Sequence, residues 1–432
     1  MSRSPLFRRD YALIWTAGLV SDTGDWLLMI ALPLFAFSAT GSALGASAVF
    51  LAELIPMLLA GTFLGVLVDR WDPRRTMIVV ALIQGIALLP LLAASPDRMG
   101  IVYAVAAVQA CLGAMINPAR QSMVPRLLRR DELGRGNALL AIADNLARLV
   151  GSPLGGLAFA VGGLPGVVIV DAVSFGVTAL LVAFTRPLPA VGPAPGAESA
   201  PAVERRLLRE WVEGIATIVR SRELRTIAVI AVLGSVAQGV FLVLFIVYVT
   251  QDLGANDTEV GLLRGVQAIG GVLGGLLTGV LIRRFAPRWL IGGGYLVFGA
   301  LSLLTWNLAP VTTAVWVYAG LFIAMGLPAV ATATGEITLV QTLTPRATLG
   351  RVIAAVTTLS GAAQGVGLLV AGLIAESVGA VHVLDAQASL YLLCGVLALV
   401  FLGAAKAGAR DAGEGANDGV TDSAADVGRP AS

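Results

Sequence analysis

Residues 65–74 read GVLVDRWDPR, and residues 279–288 read GVLIRRFAPR, 214 positions further on and close to half the chain away. Each is an apolar run that stops abruptly at an arginine-bearing turn. A second pair echoes the first: Val124-Pro125-Arg126 and Thr344-Pro345-Arg346 each stand just before the next Gly-rich apolar run. An internal repeat at this spacing predicts a duplicated unit. Whatever residues 1–185 build, residues 226–404 are expected to build again.

The composition says what that unit is made of. Of 432 residues 57% are hydrophobic and 13% are charged, and the mean hydropathy is +0.86. Ordinary soluble domains carry roughly 25% charged residues, so too few are present here to cover a soluble surface. With one His and two Cys, Cys111 and Cys394, far apart in apolar runs, the chain lacks the material for a disulfide scaffold, structural zinc or His-based catalysis. No GxxxxGK[ST] loop is present to cradle ATP phosphates. An enzyme, a metal site and a resident cofactor are therefore not expected, nor is a nucleic-acid partner.

A membrane-spanning helix needs roughly 20 mostly apolar residues. Twelve runs qualify, at about 11–37, 46–68, 76–94, 101–118, 137–160, 165–185, 226–250, 259–282, 289–307, 313–338, 351–375 and 386–404. None alternates with period two, which excludes a β-barrel. The expected fold is an all-α membrane protein of twelve transmembrane helices in two six-helix halves, 1–185 and 226–404. Residues 186–225 form a linker between them: a Pro/Ala/Gly-rich stretch, then an amphipathic helix with Leu208, Trp211, Val212, Ile215, Ile218 and Val219 on one face. Arg205, Arg206, Arg209, Glu210 and Glu213 lie on the other, so this helix is expected on the membrane surface. The tail, 405–432, has no periodicity and is expected to be disordered.

Lys and Arg set the orientation. With the N-terminus inside, Arg3, Arg8, Arg9, Arg70, Arg74, Arg75, Arg120, Arg126, Arg129, Arg130, Arg135, the linker, Arg283, Arg284, Arg288, Arg346 and Arg351 all fall on the cytoplasmic side, and only Arg98 falls outside. Both termini are thus expected in the cytoplasm of a multi-pass protein of the inner (plasma) membrane. MSRSPLFRRDYALIW runs straight into the first apolar stretch and does not read as a cleavable signal. Tyr11 and Trp289 near inner ends, with Trp306 and Trp316 near outer ends, are expected as interfacial anchors.

The stretch Gly65-Val66-Leu67-Val68-Asp69-Arg70-Trp71-Asp72-Pro73-Arg74-Arg75 resembles the loop-2/3 signature of the major facilitator superfamily, with Asp72 where that signature has Gly. The resemblance implies a gate: Gly65, Asp69, Arg70, Arg74 and Arg75 would work with the start of span 11, where Asp69 meets the positive helix end around Gly350 and Arg351. Further stretches are similar to the siderophore- and macrolide-exporter branch: Leu32-Pro33, Thr40-Gly41-Ser42, Asn117-Pro118-Ala119-Arg120-Gln121-Ser122, Asn137-Ala138-Leu139 and Asp171-Ala172-Val173-Ser174-Phe175. In span 5, Gly151-Ser152-Pro153-Leu154-Gly155-Gly156 resembles an antiporter motif with its Pro shifted by one. Small residues there also suit plain close packing of helices.

Ionisable groups inside a bilayer are costly and are candidates for function. Asp22 and Asp25 sit three apart in span 1, beside Trp26. Asp144 and Arg148 sit at i and i+4 on span 5, a spacing that suits a self-neutralised pair. Glu336 lies in the inner third of span 10. Asp22, Asp25, Trp26, Asp144, Arg148 and Glu336 form the candidate proton-coupling and substrate set. Glu53 lies in span 2, and Arg264 lies near the outer end of span 8, where it could snorkel to the surface. These features predict a monomeric, proton-driven exporter of amphipathic small molecules (a drug, a macrolide-like compound or a siderophore), with apolar walls suited to hydrophobic, often cationic ligands amid membrane lipid. A lipid or lysophospholipid flippase, a less well suited uptake symporter and a non-transporting sensor are the competing readings. The orientation has a direct check. Single cysteines at 38–45 or 251–258, in a background free of Cys111 and Cys394, are expected to label with an impermeant thiol reagent applied to intact cells. Cysteines at 70–75 or 283–288 are not, and the reverse pattern would overturn the topology.

Overall fold

The computed structural model describes residues 5–68, 71–187, 200–281 and 284–402. Asp69 and Arg70, much of the Pro-rich linker and the tail lie outside them. Among the described residues every regular element is helical. Ten helices are long and apolar enough to cross a membrane, and one of them, the 51-residue run Leu133–Ala183, contains two spans. With the apolar helix Ala43–Val68 the total is twelve.

Span 1 is Arg9–Thr40, span 2 Ala43–Val68, span 3 Pro73–Ala87 and span 4 Met99–Leu127. Spans 5 and 6 share Leu133–Ala183 and reverse at Gly163, whose φ of 58° and ψ of −162° belong to a region open to glycine alone. Span 7 is Arg222–Val247, span 8 Asp257–Leu281 and span 9 Pro287–Trp306. Span 10 is two helices, Val315–Ala324 and Gly326–Leu343, joined at Met325. Pro328 offers no N–H to the carbonyl four residues back, which accounts for the break. Spans 11 and 12 are Leu349–Val378 and Ala380–Phe401.

The turns at 71–72, 128–132, 284–286 and 344–348 lie together and make one end of the bundle the basic end; the opposite end is the far end. Asp72, the departure from the loop signature, caps span 3 by accepting the Arg75 backbone N–H at 2.7 Å, with Pro73 at the first helical position. Arg74 then donates to the carbonyls of Ala183 and Thr185 at 2.6 and 3.1 Å, tying the end of span 6 to the start of span 3. Span 4 continues through Pro118 to Leu127, so Arg120 belongs to a span and not to a surface loop.

Glycines set the spacing between spans. A Cβ on Gly151 would strike the backbone of Thr23, and one on Gly155 the backbone of Leu27, both in span 1. On the other side of span 5, Gly156 meets the Asp257 and Thr258 backbone, while Gly261 and Gly265 of span 8 receive Ser152 and Pro153. Where lipid is as apolar as the side chains, such close approach is what holds helices together. The largest buried cluster accordingly crosses between the halves, joining Phe37 and Phe50 to Val243, Tyr248, Trp306 and Leu368.

All these cross-half contacts lie toward the far end. Ser47 Oγ donates to the Leu368 carbonyl at 2.8 Å, and Ser42 Oγ donates to Glu376 at 2.5 Å, joining spans 1 and 2 to span 11. At the basic end span 11 has a different partner. The linker helix Ala200–Arg220 seats Trp211, Ile215 and Ile218 in a cluster with Val352 and Ala355, and Gly214 abuts the Arg351 backbone. It is thus docked on span 11 through part of its apolar face, whereas Val212 and Val219 stay exposed.

Two expected anchors are not at an interface. Tyr11 is fully buried and donates to the Gly136 carbonyl at 2.8 Å. Trp306, 1% exposed, donates to Gln387 Oε1 at 3.2 Å inside the bundle. An aromatic ring near a helix end can turn inward when a buried acceptor awaits its N–H or O–H. Trp289 and Trp316 are exposed.

A Cβ placed on Gly372 would lie 2.9 Å from Ser47 Cβ. A disulfide needs about 3.5–4.5 Å between these atoms, a parting of roughly 1 Å. Ser47→Cys with Gly372→Cys is therefore expected to cross-link on oxidation, to lock the far end shut and to stop transport until reductant is added. Unimpaired transport by the fully cross-linked protein would show that this seam does not open.

Candidate functional site

Between the halves, beneath the far-end contacts, lies a cavity of about 400 Å³. Span 1 contributes Trp26 and Met29, and span 5 contributes Arg148. The rest of the lining comes from the second half, with Phe241, Phe298, Trp306, Phe322 and Met325 as apolar wall and Gln238, Gln267, Gln364 and Gln387 as polar points. Apolar walls with a few convergent polar groups are the usual form of a small-molecule site.

Two arginines converge on one amide oxygen here. Arg148 Nη2 donates to Gln267 Oε1 at 2.5 Å, and Arg264 Nη1 donates to the same atom at 3.3 Å. Their flat faces rest on aromatic rings. The Arg148 guanidinium lies 5.1 Å from the Trp26 centroid, and that of Arg264 lies 5.2 and 5.9 Å from Phe241 and Phe245. Arg264 is 5% exposed, so it does not snorkel; it faces the cavity. The expected Asp144–Arg148 pair is not formed either. Asp144 is exposed, and Arg148 uses its length to reach span 8. Arg264, Gln267 and Gly271 recur at i, i+3 and i+7 on one face of span 8, a helical period that marks the cavity side where depth along the span alone does not.

The acidic candidates are grouped elsewhere, within the first half. Asp22 Oδ2 pairs with Arg120 Nη1 at 2.6 Å, each side chain 14% exposed, and Arg120 also donates to Asn117 Oδ1 at 3.0 Å. Asp171 is fully buried, accepts from Ser174 Oγ at 3.1 Å and abuts Gly24. Span 1 is helical through Gly24, whose absent side chain makes room for Asp171. Asp25 is exposed at mid-span, and the charges that act on it are Asp171, Asp22, Arg120 and Glu53. Glu336 stands apart, accepting from Tyr295 Oη at 2.7 Å between spans 9 and 10. Of the sequence-derived set, Trp26 and Arg148 line the cavity, Asp22 and Asp25 lie on span 1 among Arg120 and Asp171, Asp144 is exposed on span 5, and Glu336 joins neither group.

The gate residues are partly in view. Asp69 and Arg70 lie outside the described residues. Gly65 is within span 2, and the side chain of Arg75 is exposed. Around Gly350 no described atom beyond its own helix turn lies within 4 Å of where a Cβ would sit. Arg351 Nη1 pairs with Glu213 Oε2 of the linker helix at 2.6 Å. Gly151, Pro153, Gly155 and Gly156 hold span 5 between spans 1 and 8, which is the close-packing alternative for that motif.

The family model described as Major Facilitator Superfamily matches residues 14–248 and 227–424. The chain is 30% identical over 412 residues to a protein of Mycolicibacterium fortuitum named multidrug efflux pump Tap, covering 91% of this chain and 96% of that one. It is 23% identical over 379 residues to macrolide efflux protein A of Streptococcus pyogenes, covering 87% and 92%. Among solved structures, a bacterial homologue of the iron transporter ferroportin in an inward-facing state superposes with a TM-score of 0.69 at 18% identity, covering 90% of this chain and 98% of that one.

Losing one partner of a mostly buried ion pair costs about 3 kcal/mol or more, because the other charge is left uncompensated. Arg120→Leu is therefore expected to lower the unfolding temperature of the detergent-solubilised protein sharply. Adding Asp22→Asn should recover much of the loss, as a double-mutant cycle would report. Additive effects of the two changes would mean that the pair contributes nothing jointly.

Proposed function

The chain belongs to the major facilitator superfamily, and from that premise we propose that it exports amphipathic small molecules by alternating access, driven by proton antiport. The observation that carries the reading is the cavity, closed at the far end by cross-half contacts and walled by aromatic and methionine side chains. Its volume lies within the roughly 300–1,000 Å³ range of drug-sized sites. Similarity over nine-tenths of the chain to a multidrug pump and, more distantly, to a macrolide pump supports the direction of transport. The arginine-rich turns support a cytoplasmic basic end, so this conformer is read as inward-facing, in the plasma membrane and as a monomer.

In this reading residues 1–185 and 226–404 rock about the cavity, and the far-end seam and the basic-end gate alternate. Protons would pass through the acidic group of the first half. Asp25 is too short to snorkel from mid-span and, unlike Asp22, which is committed to Arg120, has no ion-pair partner among the described residues, so it is the carboxylate we assign to proton exchange.

The test is accumulation of a macrolide, a tetracycline and ethidium in cells with and without the protein, each with an uncoupler control. Lower steady-state accumulation that the uncoupler abolishes is the expected result, and equal accumulation of all three would refute export. In reconstituted vesicles Asp25→Asn is expected to stop proton-driven accumulation while energy-independent exchange persists. Undiminished accumulation by that variant would remove Asp25 as the coupling site.

A further inference from the structure

The lining of the cavity holds two arginines and no carboxylate. Among the described residues neither Arg148 nor Arg264 lies within ion-pair distance of an acid, and both donate to the neutral oxygen of Gln267. Two like charges held on one amide, one of them 5% exposed, are unfavourable unless an anion joins them. Unused donors remain at the same place: Arg148 Nε and Gln267 Nε2 are buried with no hydrogen-bond partner among the described residues. Buried polar groups are ordinarily satisfied, so unpartnered ones beside a cavity point to something that satisfies them.

Resting on the export reading above, we infer that the cavity selects amphiphiles bearing an oxyanion, a carboxylate or a phosphate-like group attached to an aromatic or apolar body. The oxyanion would bridge the two guanidiniums, taking charge-assisted hydrogen bonds from both and displacing the contacts to Gln267 Oε1. The aromatic rings already cover the flat faces of the arginines, which leaves their N–H edges to the ligand. Its body would lie against Phe298, Trp306, Phe322 and Met325. The charge of the preferred ligand is thus opposite to the cationic preference that the intramembrane acids alone would suggest. Those acids, Glu336 of the second half included, are absent from the lining.

The experiment uses the full-length protein in lipid nanodiscs and three probes of one shape: naphthalene-2-carboxylate, naphthalene-2-carboxamide and 2-naphthylmethylammonium. Calorimetric titration, with empty nanodiscs subtracted, is expected to give the carboxylate at least 10-fold higher affinity than either of the others. Arg264→Gln and Arg148→Gln should each cost the carboxylate 10-fold or more and leave the amide within about threefold. Gln267→Glu guards against misfolding of those variants, because it supplies a resident carboxylate that pairs with both arginines. It should fold at least as well as the parent and lose carboxylate binding. Equal affinities for carboxylate and amide, tighter binding of the ammonium probe, or undiminished carboxylate binding by Gln267→Glu would each overturn the inference. Uptake of the same probes into vesicles separates the two claims. Movement of neutral or cationic probes with no carboxylate preference sinks the anion site and spares transport. Carboxylate binding without movement of any compound spares the site and sinks transport.

Discussion

The close crossing of span 5 with spans 1 and 8 is the contact from which the rest of the geometry follows. Gly151 and Gly155 let span 5 lie on the backbone of span 1, while Gly156, Gly261 and Gly265 let it lie on span 8. Any side chain at those glycines would push the helices apart, and in lipid no hydrophobic force would draw them together again. The same crossing fixes where Arg148 stands. One turn toward the basic end from the glycines, it has the reach to cross the gap between the halves and meet Gln267. The seam that closes the far end and the polar centre of the cavity are therefore one construction.

Charge is segregated across that seam. The first half keeps Asp22 and Asp171 on its own elements, Asp22 paired with Arg120 and Asp171 accepting from Ser174 through one oxygen only. The cavity receives only positive charge, held by aromatic faces and a shared amide. Neutralisation within each half would have produced a quieter interior, and the Asp144–Arg148 spacing offered that solution. Asp144 remains exposed instead, and the arginine is spent between the halves. If the halves separate along this plane as proposed, a cross-half bond to a neutral amide is easier to break than an ion pair in low dielectric.

The architecture is legible in the sequence because it depends on composition and period. Twelve apolar runs, the repeated turns at 65–74 and 279–288 and the Pro-rich linker are all one-dimensional signals. The site is less so. Trp26 and Arg148 stand out because a charged side chain in mid-span is costly to bury, and an aromatic face is one of the few apolar surfaces that favours a cation. Arg264 reads as a surface residue because distance along a helix says how deep a residue lies, not whether it faces lipid or cavity; that needs the face shared with Gln267 and Gly271. Arg120 reads as cytoplasmic because Pro118 and Pro125 suggest an end to span 4, yet the helix runs through both. Tertiary packing can hold a helix through a proline when neighbours or water satisfy the freed carbonyl.

The linker helix bears on how the two ends alternate. In this conformer the start of span 11 is engaged by Glu213 and Gly214, the same helix end that the loop-2/3 signature would approach from the other half. Arg351 gives only one Nη1 contact to Glu213, so in the proposed cycle a closing partner from the other half would compete with or join the linker helix at this helix end. A pair with both side chains more than a third exposed is weak enough for such exchange, being worth about 1 kcal/mol or less. At the far end the Ser42–Glu376 contact is likewise exposed, but the glycine crossings beneath it part only when backbones separate. Under the proposed cycle, the linker-helix contact is the weaker of the two attachments of span 11 and the one that exchanges first.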